Sequence, residues 1–217
     1  MEWKQKLALL RYIAYDLKLI HSQRLIHRYL HSGNILQDEI HSAYIADLGL
    51  SLSSNIASKS EANNDKVYGI LPYMAPEILE GRLYTKASDI YSFGIIMWEI
   101  LYGKPIFYDQ NGEAQIQIQI CFDNLRPPIC ENASKCYVDL MEKCWAKEPG
   151  NRPSAANIYK IFNDWLNNQE ILLELSKSDE ALEKFRYTYN QTHPSAFNKG
   201  KFIPYTRTLF KELLVTM

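Results

Sequence analysis

The chain has 217 residues, enough for one sizeable domain or one domain with an extension. Its composition, 47% hydrophobic and 23% charged, is that of an ordinary globular protein. With 24 Lys+Arg against 25 Asp+Glu there is no basic field to recruit nucleic acid, and no run of like charges marks a membrane-surface patch.

Met1-Glu2-Trp3-Lys4-Gln5-Lys6 is too charged for a secretion signal. The longest apolar stretch, Ile90 to Tyr102, is cut by Glu99 and too short to span a bilayer. Cys121, Cys130, Cys136 and Cys144 form no CxxC pair and have no His at zinc-finger spacing, so they are expected as reduced thiols in or near a core. These features point to a cytoplasmic protein with neither nucleic acid nor membrane as partner.

In chain order, Leu7, Leu10, Tyr12, Ile13, Leu17 and Ile20 recur every three or four residues and predict an amphipathic helix from Trp3 to His21. Ile35-Leu36 and Tyr44-Ile45-Ala46 flank a polar turn and predict two short strands. Ser51 to Asp65 is polar throughout and reads as a mobile loop with no part in the core. Pro76 suits the first turn of a short helix ending near Gly81. Thr85 is placed to cap a helix running to Leu101, apolar on most sides and therefore expected at the centre of the domain. Ile116-Gln117-Ile118-Gln119-Ile120 alternates and, taken alone, predicts a strand. Ser134 to Ala146 and Ser154 to Leu166 have helical spacing with a Ser at the start to cap. A weak helix is expected over Asp179 to Tyr187, then a tail beyond Asn190 that closes in a short helix from Thr208 to Val215. The sum is a mainly α fold with a few short strands.

The chemistry concentrates in His27 to Leu36, HRYLHSGNIL, and in Asp47-Leu48-Gly49. Asn34 follows Tyr29 by five residues, and further on come GILPYMAPEIL, SDIYSFGIIMWEILYGKPIF, LRPPI and CWAKEPGNRPSA. This ordered string resembles the large, C-terminal lobe of the protein kinase superfamily, nearest its tyrosine-kinase-like group. The resemblance covers residues 3–166 and leaves 167–217 as a C-terminal extension.

Several roles follow from the resemblance. His27 and Arg28 belong to the catalytic loop, and Gly49 to the metal-binding turn. Asn34 and Asp47 are candidate, weak Mg²⁺ ligands. Glu77 would pair with Arg152, and Asp89 would clamp the backbone of the loop. The resemblance also turns Glu113 to Phe122 from strand to helix. Arg28 would ordinarily pair with a phosphorylated residue of the segment after Asp47; Ser51, Ser53, Ser54, Ser58, Ser60 and Tyr68 are available, and an unmodified loop is the alternative.

Two departures from the family matter. The catalytic carboxylate is replaced by Tyr29, so no catalytic residue is expected. A phenol of ordinary pKa is ionised in roughly one molecule per thousand at neutral pH, and loss of a general base costs about 10² to 10⁴ in rate. His31 stands where a Lys is common. Further, no GxGxxG and no small-lobe Lys–Glu pair occur in this sequence. The resemblance implies Mg-ATP as the family's cofactor, but no cofactor is expected for this chain alone. The expectation is a catalytically impaired, pseudokinase-like module that binds a protein partner. Its candidate surfaces are Ile116 to Ile120 and Ser51 to Asp65. The alternatives are an incomplete portion of a Ser/Thr or Tyr kinase whose small lobe lies outside this chain, and an unrelated helical protein.

Overall fold

A computed structural model describes residues 1–38, 42–53, 66–106, 112–192, 200–206 and 208. Helix α1, Trp3–Ser22, begins where the Gln5 side chain takes the Glu2 backbone N–H at 3.0 Å. Its buried face, Trp3, Leu7, Leu10, Ile13, Ala14 and Leu17, is the apolar stripe that the spacing demanded. Two strand pairs follow. β1 (Leu25–Ile26) runs antiparallel to β4 (Leu52–Ser53), and β2 (Ile35–Gln37) to β3 (Ala43–Ile45) with Leu36 opposite Tyr44. The start of the expected loop at Ser51 is therefore tied by β4 to the entry of the His27–Leu36 stretch; residues 54–65 lie outside the described residues.

Pro76 opens the short helix α2, Pro76–Leu79. Helix α3, Lys86–Tyr102, starts with a reciprocal cap, in which the Ser88 hydroxyl accepts from Thr85 N at 3.1 Å and donates to Thr85 O at 2.6 Å. It ends at Gly103, whose φ of +67° permits the left-handed turn that stops the helix. Ile90, Tyr91, Phe93, Ile95, Ile96, Met97, Trp98 and Leu101 are all buried, which makes α3 the centre of the core.

Around α3 lie α4 (Glu113–Cys121), α5 (Lys135–Cys144), α6 (Ala155–Leu166), α7 (Gln169–Ser176) and α8 (Asp179–Thr192). α1 packs along α6, with Tyr15 against Tyr159 at 5.5 Å, and α5 packs on α3. Mainly α with short strands is thus the observed class.

One feature bears out the helix that the resemblance implied over Glu113 to Phe122, and three differ from expectation. Residues 116–120 form a helical turn because Ile116 and Ile120, four apart, share the buried face, and Gln117 is buried beside them. Ile116 and Ile120 are therefore spent on internal packing, while Ile118 stays partly exposed. Ser134 sits at the start of α5, but its hydroxyl donates to Glu174 at 3.1 Å instead of capping. α7 was not anticipated, and α8 runs beyond Tyr187. Finally, β6, Lys201–Pro204, lies in what had read as tail and pairs antiparallel with β5, Lys66–Gly69. Of the closing helix expected over Thr208 to Val215, all but Thr208 is outside the described residues. Among the described residues no helix is long and apolar enough to cross a membrane.

Candidate functional site

The loop after β1 is held from below by one carboxylate. Asp89, 1% exposed in the first turn of α3, accepts the backbone N–H of His27 (2.8 Å, Oδ2) and of Arg28 (2.9 Å, Oδ1). Its Oδ2 also meets His21 Nε2 at 2.9 Å. Two of these bonds fix the loop to the core, and the third ties the same carboxylate to α1. They also stabilise Arg28 in a left-handed backbone, φ +71°, with its guanidinium 4.7 Å over the Tyr84 ring. His27, fully buried, takes the Tyr29 N–H on Nδ1 at 3.3 Å and donates from Nε2 to the Ala46 carbonyl at 3.0 Å. The imidazole therefore joins the loop to the segment carrying Asp47.

Tyr29 is half-buried beneath other rings. Its centroid is 4.6 Å from His31, edge to face, and 5.4 Å from Tyr68. Burial first, then hydrogen bonding to Tyr68, then the charge of Asp47 push its hydroxyl up to about 12. At pH 7 such a phenol is ionised in roughly one molecule per 10⁵. His31 does not replace it as a proton acceptor. Its Nδ1 accepts from Gly33 N at 3.1 Å, so in the neutral ring the proton sits on Nε2, which is buried with no acceptor among the described residues. Burial, reinforced by His27, lowers the pKa of His31 further from the usual imidazole range, against the opposing pull of Asp47.

Asn34 and Asp47 are joined through the backbone, since Ala46 N–H donates to the Asn34 carbonyl at 2.8 Å. The Asn34 amide gives a hydrogen to the Tyr29 carbonyl at 2.9 Å, which leaves Oδ1 as its oxygen donor. Asp47 occupies the left-handed region (φ 60°, ψ 62°), a conformation Asp tolerates better than most residues. A Cβ at Gly49 would stand 3.2 Å from Asp47 Oδ1, so glycine leaves room for the carboxylate. Two oxygen donors suit Mg²⁺ chemically but fill only part of its octahedron. Among the described residues no group of three or more His, Cys, Asp or Glu could complete it.

The far end of the segment is locked as well. Arg152 meets Glu77 side-on, Nη1 to Oε1 at 2.6 Å and Nη2 to Oε2 at 2.8 Å, with both side chains buried. Its remaining hydrogens go to the carbonyls of Ala146 (2.8 Å), Ala87 (2.9 Å) and Lys147 (3.1 Å). All five guanidinium donors are used.

Sequence reasoning missed several residues here. Tyr73 donates to Glu99 at 2.6 Å while Ser32 meets its oxygen at 2.9 Å, a polar chain from the His27–Leu36 loop to α3. Asp16 accepts the Ile45 N–H at 3.0 Å and holds β3 on α1. Polar residues inside apolar periodic stretches, Asp16 and Glu99, were the available signal. Gly200 had none. It lies so close to Tyr29 that an added Cβ would collide with the Tyr29 hydroxyl and stand 2.7 Å from that of Tyr68.

Residues 1–162 match the family model described as protein tyrosine and serine/threonine kinase. The chain is 32% identical over 155 residues to a dual specificity protein kinase, shkA, of Dictyostelium discoideum, covering 71% of this chain and 28% of that protein. It is 36% identical over 138 residues to dual specificity protein kinase shkC of the same organism, covering 64% and 27%. To a protein kinase and PP2C-like domain-containing protein of Arabidopsis thaliana it is 31% identical, covering 72% and 29%. The chain thus spans under a third of the length of these relatives.

Proposed function

The chain belongs to the protein tyrosine and serine/threonine kinase family, and from that premise we propose that it is a kinase-fold module impaired in phosphoryl transfer, acting by holding a protein partner. Residues 3–166 are read as the large lobe, nearest the tyrosine-kinase-like group, and 167–217 as an extension; the setting is the cytoplasm. The observation that carries the reading is Tyr29. Transfer of the γ-phosphate from Mg-ATP needs an ionised group that accepts or orients the acceptor hydroxyl. A phenol held at about 12 and packed between the rings of His31 and Tyr68 supplies neither the charge nor the space.

The rest of the loop does what it would do in an active relative. Asp89 and His27 fix the backbone, and Asn34 and Asp47 would hold Mg²⁺ when the triphosphate completes its shell. Without that triphosphate, two ligands bind metal weakly. A partner surface is supported at the β2–β3 hairpin, where Leu36 and Tyr44 face each other at 57% and 50% exposure.

A second reading, a portion of an active Ser/Thr or Tyr kinase, is favoured by the intact clamp on the loop and the left-handed Asp47. The test is a transfer assay on the protein at its natural length, with labelled Mg-ATP and a mixed peptide library. Wild type is expected to transfer no more than Asp47→Ala, with Tyr29→Asp about 10² to 10⁴ above both. Wild-type transfer that matches Tyr29→Asp and is abolished by Asp47→Ala sinks the impaired reading and selects the second.

A further inference from the structure

β5 is an edge strand directly beside Tyr29, and edge strands recruit extended chain. In this protein the recruit is its own C-terminal region. β6 pairs Lys66 with Pro204, Val67 with Ile203, Tyr68 with Phe202 and Gly69 with Lys201. Two-stranded ribbons are marginal by themselves, so the pairing needs anchors, and several lie just beyond it.

Ile203, Tyr205 and Thr206 are all buried. The Gln117 amide donates to the Pro204 carbonyl at 2.8 Å and to Thr206 Oγ1 at 3.1 Å. Thr206 in turn donates to the Leu79 carbonyl at 3.0 Å, and its oxygen lies 3.5 Å from Cys121 Sγ. The Tyr205 ring packs over Gly81, where φ is +87° and a Cβ would stand 3.5 Å from the ring. On the outer side Lys201 pairs with Glu113, and Phe202 lies edge to face on Tyr68 at 5.3 Å. At the other end Gly200 is fitted against the Tyr29 and Tyr68 hydroxyls with no room for a side chain.

We propose that residues 200–206 are an intramolecular strap, which fills the β5 edge, closes over Tyr29 and so excludes an extended peptide of another protein from that edge. This deepens the proposed function by naming what controls access to the Tyr29 site, and it rests on that reading only for there being a protein partner. The asymmetry of the contacts supports a strap. The 203–206 end is bonded into α2 and α4, while the 200–202 end lies over Tyr29 and Tyr68, with Phe202 exposed. Opening from the Gly200 end would uncover Tyr29 and the Gly69 end of β5 first.

The test uses the full chain and a fluorescent peptide of sequence Gly-Lys-Phe-Ile-Pro-Tyr-Thr, residues 200–206. Gly200→Val forces a side chain into the Tyr29 hydroxyl and is expected to lift the strap. The variant should bind the peptide at least tenfold more tightly than wild type, with faster amide exchange at Val67 and Ile203. Shrinking the obstruction with Tyr29→Ala in the Gly200→Val background is expected to return both readings toward wild type. Equal peptide affinity in wild type and Gly200→Val, with unchanged exchange, overturns the strap; so does peptide binding to neither. Neither measurement involves phosphate transfer, so the strap and the impaired active site fail separately.

Discussion

Replacing Glu77 with alanine tests how the end of the segment is held. The change leaves the Arg152 guanidinium in place, 0% exposed, with three carbonyl partners but without its anion. Water cannot reach the charge, and carbonyl dipoles do not neutralise it. Removing one partner of a buried pair costs about 3 to 5 kcal/mol. For a chain of this size each kcal/mol moves the melting temperature by about 2 to 4 °C, so a fall of about 6 to 20 °C is expected. Urea unfolding of Glu77→Ala, Arg152→Met and the double variant closes the cycle. The double variant should be much less damaged than the sum of the singles, because it leaves no uncompensated ion. Arg152→Lys should not rescue, since three ammonium donors cannot serve five acceptor contacts in the guanidinium plane. A cost below about 1 kcal/mol for Glu77→Ala, or strict additivity, would refute the reasoning, because both are the behaviour of a solvated surface pair.

Lys6 is buried against the Trp3 ring at 4.4 Å, and burial, helped by the charge of Arg186 and opposed by Asp179, lowers its pKa to about 8. From about 8 up to the ordinary 10.5 the unfolded chain keeps a proton that the folded chain has lost, so stability should rise with pH across that window. Lys6→Met should flatten this rise in urea midpoints taken from pH 7 to 10, and an unchanged slope would assign it elsewhere. Gly94 faces α5 so closely that a Cβ would stand 3.0 Å from Cys144 Cβ and 3.2 Å from Trp145 N. Gly94→Ala should therefore destabilise by about 1 to 3 kcal/mol despite alanine's better helix propensity, and a stabilised variant in thermal melts would contradict that packing. In Asp89→Asn an amide hydrogen must face one of the three donors that the carboxylate accepted, at a cost of about 1 to 3 kcal/mol. Hydrogen exchange at His27 and Arg28 should speed up accordingly, and native-like protection there would show that another group holds the loop.

Much of this architecture was legible because it rests on periodicity and local chemistry. The α1 stripe, the cap at Thr85, the stop at Gly103 and the all-round apolar surface of α3 follow from residues near one another in sequence. The alternating Ile116, Ile118 and Ile120 were legible only with help, since residues four apart satisfy both a strand face and a helix face. The resemblance to the kinase family likewise pointed to Glu77, Asp89 and Arg152. What stayed hidden depends on long-range geometry. Ser134 could have capped its helix, but Glu174, forty residues away, offered a better acceptor. Lys201 to Pro204 has neither the length nor the alternation of a self-evident strand, and it becomes one only because β5 presents an open edge. Tyr29 was recognisable as a departure from the carboxylate of the family it resembles, yet its cover of His31, Tyr68 and Gly200 could be seen only in three dimensions.

The packing of α1 along α6 has a consequence for the ribosome. α1 is made before its partner α6, which is complete only at Leu166, 144 positions after Ser22. At about 5 to 20 residues per second, the apolar stripe of Trp3, Leu7, Leu10, Ile13 and Leu17 waits roughly 7 to 30 s for its cover. During that wait the stripe is a natural binding surface for a chaperone, so depletion of early-acting chaperones should harm the yield of this chain more than its finished stability would suggest.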